Sequence, residues 1–381
     1  MDKRKIIQNT LPHFPKKAIS QTLRDIEKVL ETNRFILGEK AKEFEESFAN
    51  YVGTKYAVSV NSATSALQIC FSYYGVEGGE VILPTNTFLA TPNAVLYAGG
   101  TPVLTDINKT TLCIDSKEIK KRITSRTKGV AVVHINGLIP PDFHEIRKIC
   151  QENNLFLIED CAHAHGSEID GTRAGNLSDA GCFSFYPTKV MTTGTGGMIT
   201  TNNKDLVDFA ISVRHHGQGK NLNDIQNFGN DWVMTEINAI LGIHQLTYLN
   251  NSVKRRNEIA KKYTKALSTV SKINIIEVPS NQICAYYKYQ IILDKSINNE
   301  KFKDVLLKKH GIKLGAVYWP TCHLQPVYQR ELNYRLGDFP TAEETLSSVI
   351  TLPLHLGLDD KDVDFIIDCV DKELPNCQNN K

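Results

Sequence analysis

An α/β architecture, a large domain on a mostly parallel sheet followed by a smaller α+β domain, is predicted by three features of the chain. From residue 55 to 201, short apolar runs alternate with helical stretches, the pattern of parallel strands joined by crossover helices. Two of these runs, 155–158 and 182–185, are continuously apolar and read as short buried strands. After residue 202 the character shifts, and 381 residues are too many for one small core.

The elements follow in order. A strand is predicted at 56–60 and a helix at 64–74, with Leu67, Ile69, Cys70 and Phe71 on its apolar side. Next come a strand at 80–83 closed by Pro84, a helix at 91–98, strands at 102–104 and 128–133, and a helix at 143–152. The runs 155–158 and 182–185 and a strand after Gly197 complete the sheet. The remainder reads as an apolar helix at 234–249, a charged helix at 254–267 and an alternating strand at 284–293. A helix at 302–309, a strand at 314–318 and helices at 340–349 and 360–372 close the chain. Residues 1–250, including an N-terminal helix, are assigned to the large domain and 251–381 to the small one.

Bulk composition excludes several classes. The 44 basic and 42 acidic residues leave a net charge of +2, with no bulk attraction to nucleic acid or anionic membrane. No stretch has the apolar length of a membrane span, and residues 1–17 lack a signal-peptide core. The nine cysteines are scattered and form no C-x-x-C pair, which argues for a reducing, cytoplasmic compartment. No metal is expected, since the tandem His215-His216 has no partner spacing. Gly194–Gly197 is glycine-rich but precedes a strand, so it is not a dinucleotide fingerprint.

Chemistry concentrates at the ends of the two buried runs. One ends in Glu159-Asp160, the other leads into Tyr186-Pro187-Thr188-Lys189. Ligands of such sheets bind beyond the carboxyl ends of the strands. A carboxylate and an amine delivered there suit pyridoxal phosphate. Lys189 would form the Schiff base, provided its site lowers its pKa, and Asp160 would pair with the pyridinium nitrogen. Taken singly, each has an ordinary alternative: a surface lysine and a capping aspartate. The run 61–67 opens a helix directly after a strand and supplies hydroxyls and N–H groups for a phosphate, although a plain helix cap has the same look. Ser184 is a second phosphate candidate. Phe88 either stacks on the pyridine or packs in the core. His163 or His165 could reach the phenolic oxygen.

With these residues in place, the chain resembles the DegT-type sugar aminotransferases, a family of fold-type-I pyridoxal-phosphate enzymes. The resemblance runs from about residue 19 to 374. It rests on GEKAKEFEESFANYVG, VILPTNTFLATPNAVLYAGGTPV, IEDCAHAHGS, GCFSFYPTK, GTGGMITT, TEINAILGIHQL, HLQPVY and GDFPTAEE. It implies Lys189 as Schiff-base lysine and proton shuttle and Asp160 as pyridinium partner. Phe88 becomes the stacking aromatic and His163 the neighbour of the phenolic oxygen. Ala63, Thr64, Ser65 and Ser184 hold the phosphate, and Tyr318 and His323 lie near the substrate. A homodimer with shared sites is implied, as are an amino-acid donor, L-glutamate, and a keto-sugar acceptor, nucleotide-linked, for glycan or natural-product biosynthesis.

The chain departs from the family pattern at four places. Ala63 stands for a glycine and Thr195 for a glutamate. Asp231 and Val233 stand for an asparagine and an arginine, so either the adjacent Asn230 meets the neighbouring subunit's phosphate or that contact is lost. Val317–Pro320 replaces a histidine-tyrosine-proline segment. These changes motivate an alternative acceptor, a small phosphorylated ketone. A dehydratase of this family would lack Lys189, and a non-catalytic regulator would not need both Lys189 and Asp160.

Overall fold

The computed structural model describes residues 6–219, 221 and 223–379. The large sheet is built from β1 (Tyr56–Val60), β2 (Glu80–Pro84), β3 (Thr101–Thr105), β4 (Thr127–Val133) and β5 (Phe156–Asp160). A hairpin of β6 (Glu168–Ile169) and β7 (Thr172–Arg173) leads to β8 (Ala180–Ser184) and β9 (Gly197–Thr201). Strand order is β1-β9-β8-β5-β4-β2-β3. Pairing is parallel from β8 to β3, and β9 alone runs against its neighbours. The short link from β8 to β9 carries no helix, so it cannot make the crossover that a parallel partner needs.

Helices α1 (Lys16–Thr32), α2 (Glu39–Val52), α3 (Ala63–Tyr73), α4 (Ala90–Tyr97), α5 (Ser116–Arg122), α6 (Phe143–Glu152), α7 (Lys204–Val213) and α8 (Glu236–Leu246) accompany this sheet. The pleat of β8 sends alternate side chains to opposite faces. Phe183 meets Phe48 of α2 with ring centroids 4.9 Å apart, while Cys182 lies 3.7 Å, sulfur to sulfur, from Cys70 of α3. The buried Glu236 carboxylate accepts the N–H groups of Gly38, Lys40 and Ala41, anchoring the start of α2 to α8.

The rest of the chain forms α9 (Leu249–Leu267), β10 (Ile273–Ile275), β11 (Gln282–Ile283), β12 (Tyr289–Leu293), α10 (Asn299–His310), α11 (Pro326–Leu332), α12 (Pro340–Leu346), β13 (Val349–Leu352) and α13 (Asp360–Glu373). A three-stranded sheet, β10-β12-β13, packs with α9, α10 and α13 around Tyr263, Phe302, Ile350 and Ile366. Leu249 and Val253 at the start of α9 belong instead to the core of the large sheet. At the other end of the chain, Ile7 bridges Ile312, and Asn9 Nδ2 donates to the Thr351 carbonyl.

Three predicted elements differ. No strand forms at 314–318, where one bridge joins Gly315 to Thr351, because Tyr318 takes φ 49° and leaves the extended region. The strand expected at 284–293 begins only at Tyr289, after Tyr286 at φ 46°. The helix expected at 340–349 stops at Leu346, and Val349–Leu352 pairs with β12. There the register with a neighbouring strand outweighs local periodicity.

Candidate active site

The carboxyl ends of β5 and β8 and the N-terminus of α3 enclose a cavity of about 280 Å3. Both Lys189 and Asp160 line it. Lys189 follows β8 in a turn closed by its own N–H on the Tyr186 carbonyl (3.0 Å). Burial brings its pKa down to about 8. The Asp160 charge opposes that shift, and the Lys288 ammonium adds to it. Its Nζ stands 4.8 Å from the centre of the Tyr287 ring.

Asp160 is the last residue of β5 and is 5% exposed. Its Oδ1 accepts the Ala162 N–H at 3.0 Å and its Oδ2 accepts the Thr91 hydroxyl at 2.7 Å. Thr91 in turn pairs with Thr87 at 2.7 Å. The carboxylate is thereby oriented while it still fronts the cavity. Glu159, its neighbour on the opposite face of β5, does different work. It accepts from His134 Nε2, the Gly175 and Leu177 N–H groups and the Ser178 hydroxyl, bracing the loop before β8.

His163 stacks on Tyr287 with centroids 4.1 Å apart and planes 19° off parallel. Its Nδ1 accepts the Asn136 N–H at 3.2 Å, so the ring proton sits on Nε2, 3.1 Å from the Tyr318 hydroxyl. Burial, with Lys189 and Lys288 nearby, drives its pKa well below the usual range, and the ring is neutral. His165 is enclosed by Phe183 and Phe185, and burial pushes it down to about 3.

At the head of α3, the Ser62 hydroxyl accepts the Ser65 N–H, and the first intrahelical bond runs from Ala66 to Ser62. The N–H groups of Ala63 and Thr64, two cavity residues, stay outside that ladder. Beneath them passes Gly197 of β9, where a Cβ would fall 2.3 Å from the Ser62 carbonyl. Glycine is what lets the strand run under the helix start. Ser184 and Thr195 line the same end.

The cavity therefore gathers Ala63, Thr64, Phe88, Asp160, His163, Ser184, Lys189 and Tyr318. Three other residues named from the sequence lie elsewhere. Ser65 is buried, with its N–H on the Ser62 cap and its hydroxyl donating to Asn61 Oδ1 at 2.6 Å, so it is engaged within the helix start and does not line the cavity. His323 is fully buried. Its Nδ1 meets the Thr85 and Thr321 hydroxyls and its Nε2 meets Glu343, which leaves no ring atom for a substrate and corrects the expectation. Asn230 is exposed and bonds to its own neighbour, Oδ1 accepting the Asp231 N–H. Tyr287 was missed: it sits in a stretch that reads as an ordinary strand, and its partners His163 and Thr188 are remote in the chain.

Pyridoxal phosphate fits these residues. The chain offers an amine that burial has brought close to neutrality, a buried carboxylate with both oxygens oriented, and a helix N-terminus with uncommitted N–H groups for an anion.

A profile of the DegT/DnrJ/EryC1/StrS aminotransferase family matches residues 16–371. The chain is 33% identical to the spore coat polysaccharide biosynthesis protein SpsC of Bacillus subtilis, over 92% of this chain and 93% of that one. It is also 33% identical to the GDP-perosamine synthase of Caulobacter vibrioides, over 89% and 91%. The fold superposes on the pyridoxal-phosphate form of a putative sugar aminotransferase, Spr1654 of Streptococcus pneumoniae, with a TM-score of 0.90 and 26% identity, covering 97% of this chain and 99% of that one.

Proposed function

Because the chain belongs to the DegT/DnrJ/EryC1/StrS aminotransferase family and is a pyridoxal-phosphate-dependent aminotransferase, we propose that it transfers an amino group from L-glutamate to a nucleotide-linked keto-sugar. One observation carries the site assignment: Lys189 and Asp160 open into the same cavity as the head of α3. The sugar class is supported by GDP-perosamine synthase among the relatives, and a glycan pathway by the spore coat polysaccharide protein.

Bound in this cavity, the cofactor supplies a carbonyl carbon for amine exchange and a ring that takes up electron density when a Cα proton leaves. The residues that would hold it are Asp160 at the ring nitrogen, Phe88 at the ring face, and Ala63, Thr64 and Ser184 at the phosphate. Lys189 Nζ is the proton carrier. With its pKa down to about 8, a useful fraction is neutral near pH 7, as a base working close to the ambient pH requires. His163 stays neutral, keeps its proton on Nε2 and holds the Tyr318 hydroxyl. The stacked His163 and Tyr287 rings form an apolar wall that excludes water beside Lys189.

The working unit is proposed to be a homodimer. Leu23 and Leu30 of α1, Phe228, and Phe88 and Tyr186 beside the cavity are exposed apolar side chains available for a partner subunit to cover. A partner covering them would bring Asn230 of one subunit toward the phosphate of the other. The nine cysteines are all free, as a cytoplasmic setting requires, and among the described residues no helix is long and apolar enough to cross a membrane.

The test loads the enzyme with pyridoxamine phosphate and offers GDP-, UDP- and dTDP-linked keto-sugars beside small keto-phosphates. Return of the yellow pyridoxal form with a nucleotide-linked sugar supports the proposal. Turnover restricted to small keto-phosphates would transfer the assignment to the second acceptor class, which Asp231, Val233 and Trp319 motivate. A protein that stays colourless with the coenzyme would remove the site assignment altogether.

A further inference from the structure

The Tyr287 ring is a meeting point for three titratable side chains. His163 stacks on it at 4.1 Å, Lys189 Nζ stands 4.8 Å from its centre, and Lys288 Nζ stands 5.6 Å from it. The Tyr287 hydroxyl pairs at 3.0 Å with that of Thr188, the residue before Lys189. Two amines and an imidazole thus share one buried aromatic ring. Lys288 differs from the other two in not lining the catalytic cavity. It lies half-buried in the bend just before β12, with the Ala316 carbonyl 3.4 Å from Nζ. It forms no ion pair among the described residues, and burial lowers its pKa.

An ammonium drawn partly out of water without a carboxylate is costly, and an apolar side chain of similar length would cover the ring without that cost. Its surroundings supply a reason for the charge. The groups around Lys189 are Asp160 at the end of β5, His163 and His165 in the loop after it, Tyr186 in its own turn, Tyr287, Lys288 and Tyr318. Arg256 of α9 donates to the Tyr286 and Tyr287 carbonyls and adds a further positive charge from that side. Among these residues Asp160 is the one carboxylate. Burial is the main influence on the Lys189 amine; beyond it, Asp160 draws a proton in and Lys288 turns it away. After burial and Lys189, the same Lys288 ammonium weighs against a proton on His163. Where water is excluded, such charges act across a side chain's width.

We propose that Lys288 is a positioning residue for amino transfer: its fixed charge beside the Tyr287 ring disfavours a second ammonium there and so keeps Lys189 a neutral base. Lys288 touches neither substrate nor coenzyme in this role and acts through Lys189 alone. The proposal rests on Lys189 being the working amine, and it does not depend on which acceptor the enzyme uses.

The test reads the amine itself. The full chain, stripped of coenzyme, is treated with formaldehyde and a borane reductant across a pH series, and methylation of the Lys189 peptide is followed by mass spectrometry. The wild-type midpoint is expected near 8. Lys288→Met keeps the length of the side chain and removes its charge, so the midpoint should rise by about half a unit or more. Lys288→Gln, a neutral polar replacement, should give the same rise even if the methionine variant folds poorly. Lys288→Arg restores the charge and should return the midpoint to the wild-type value. In the loaded enzyme, the acid limb of the kcat profile should move to higher pH in the two neutral variants and stay in place in Lys288→Arg. A merely structural Lys288 predicts a lower Tm in the neutral variants with the midpoint unmoved. That result overturns the proposal, as does a rise in Lys288→Arg equal to that in Lys288→Met. Neither result touches transamination through Lys189. A Lys189→Ala enzyme that still turned over would remove that reading, and the role of Lys288 with it.

Discussion

At the residue scale, Lys189 is the group whose environment departs furthest from its ordinary state in a functionally useful direction. Its amine has a folded pKa of about 8 against 10.5 when unfolded. Between those values the unfolded chain binds more protons, so the stability of the cofactor-free protein gains from this group as pH rises from about 8 to 10.5. In urea titrations, Lys189→Met should be more stable than the wild type below pH 8, and the gap should close as pH rises through that window. An unchanged gap would mean the amine is solvated. Lys189→Ala should lower transamination by more than about 10^3-fold, with the circular dichroism spectrum intact. Thr91→Val removes a 2.7 Å bond to the Asp160 carboxylate. Coenzyme retention in dialysis should fall about tenfold or more, the usual weight of a hydrogen bond to a charged group. Lys189 and Asp160 were legible in the sequence because each ends or follows a buried apolar run. His323 was not, because its partners Thr85 and Glu343 come from distant segments and only the folded chain reveals that its ring is fully used.

At the scale of elements, the phosphate end of the cavity depends on β9 passing closely under α3. Gly197→Ala would drive a methyl group into the Ser62 backbone, 2.3 Å away, and backbone cannot swing aside as a side chain can. The expected result is a loss of about 1–3 kcal/mol in chemical denaturation, accompanied by weaker coenzyme binding. The strand after residue 196 could be read from the sequence, but its direction could not. Direction follows from the lack of a crossover helix between β8 and β9, and from pairing with β1, a strand formed far earlier in the chain. The same limit applies at 340–352, where a helical pattern continues past Leu346 yet the chain turns to join β12.

At the scale of the whole molecule, the first residues of α9 pack with the large sheet and the rest with the small one, and Ile7 and Asn9 attach to the small one. We therefore propose that the division between domains falls inside α9 rather than in a linker. The shared-site dimer has its own test. Lys189→Ala and Asn230→Ala each disable a site, from opposite subunits. Mixed one to one and reassembled, they should recover about a quarter of wild-type activity, since half the dimers then carry one intact site. No recovery would mean that Asn230 does not serve the neighbouring subunit. The sequence by itself determined the α/β class, the order of most strands and helices, and the lysine and aspartate at the strand ends, because buried strands must be apolar and the residues just beyond them reach the site. Only the tertiary structure decided that Tyr287 walls the cavity and that His323 and Ser65 are committed elsewhere. Those contacts join residues far apart along the chain, and no local pattern of polarity encodes a distant partner.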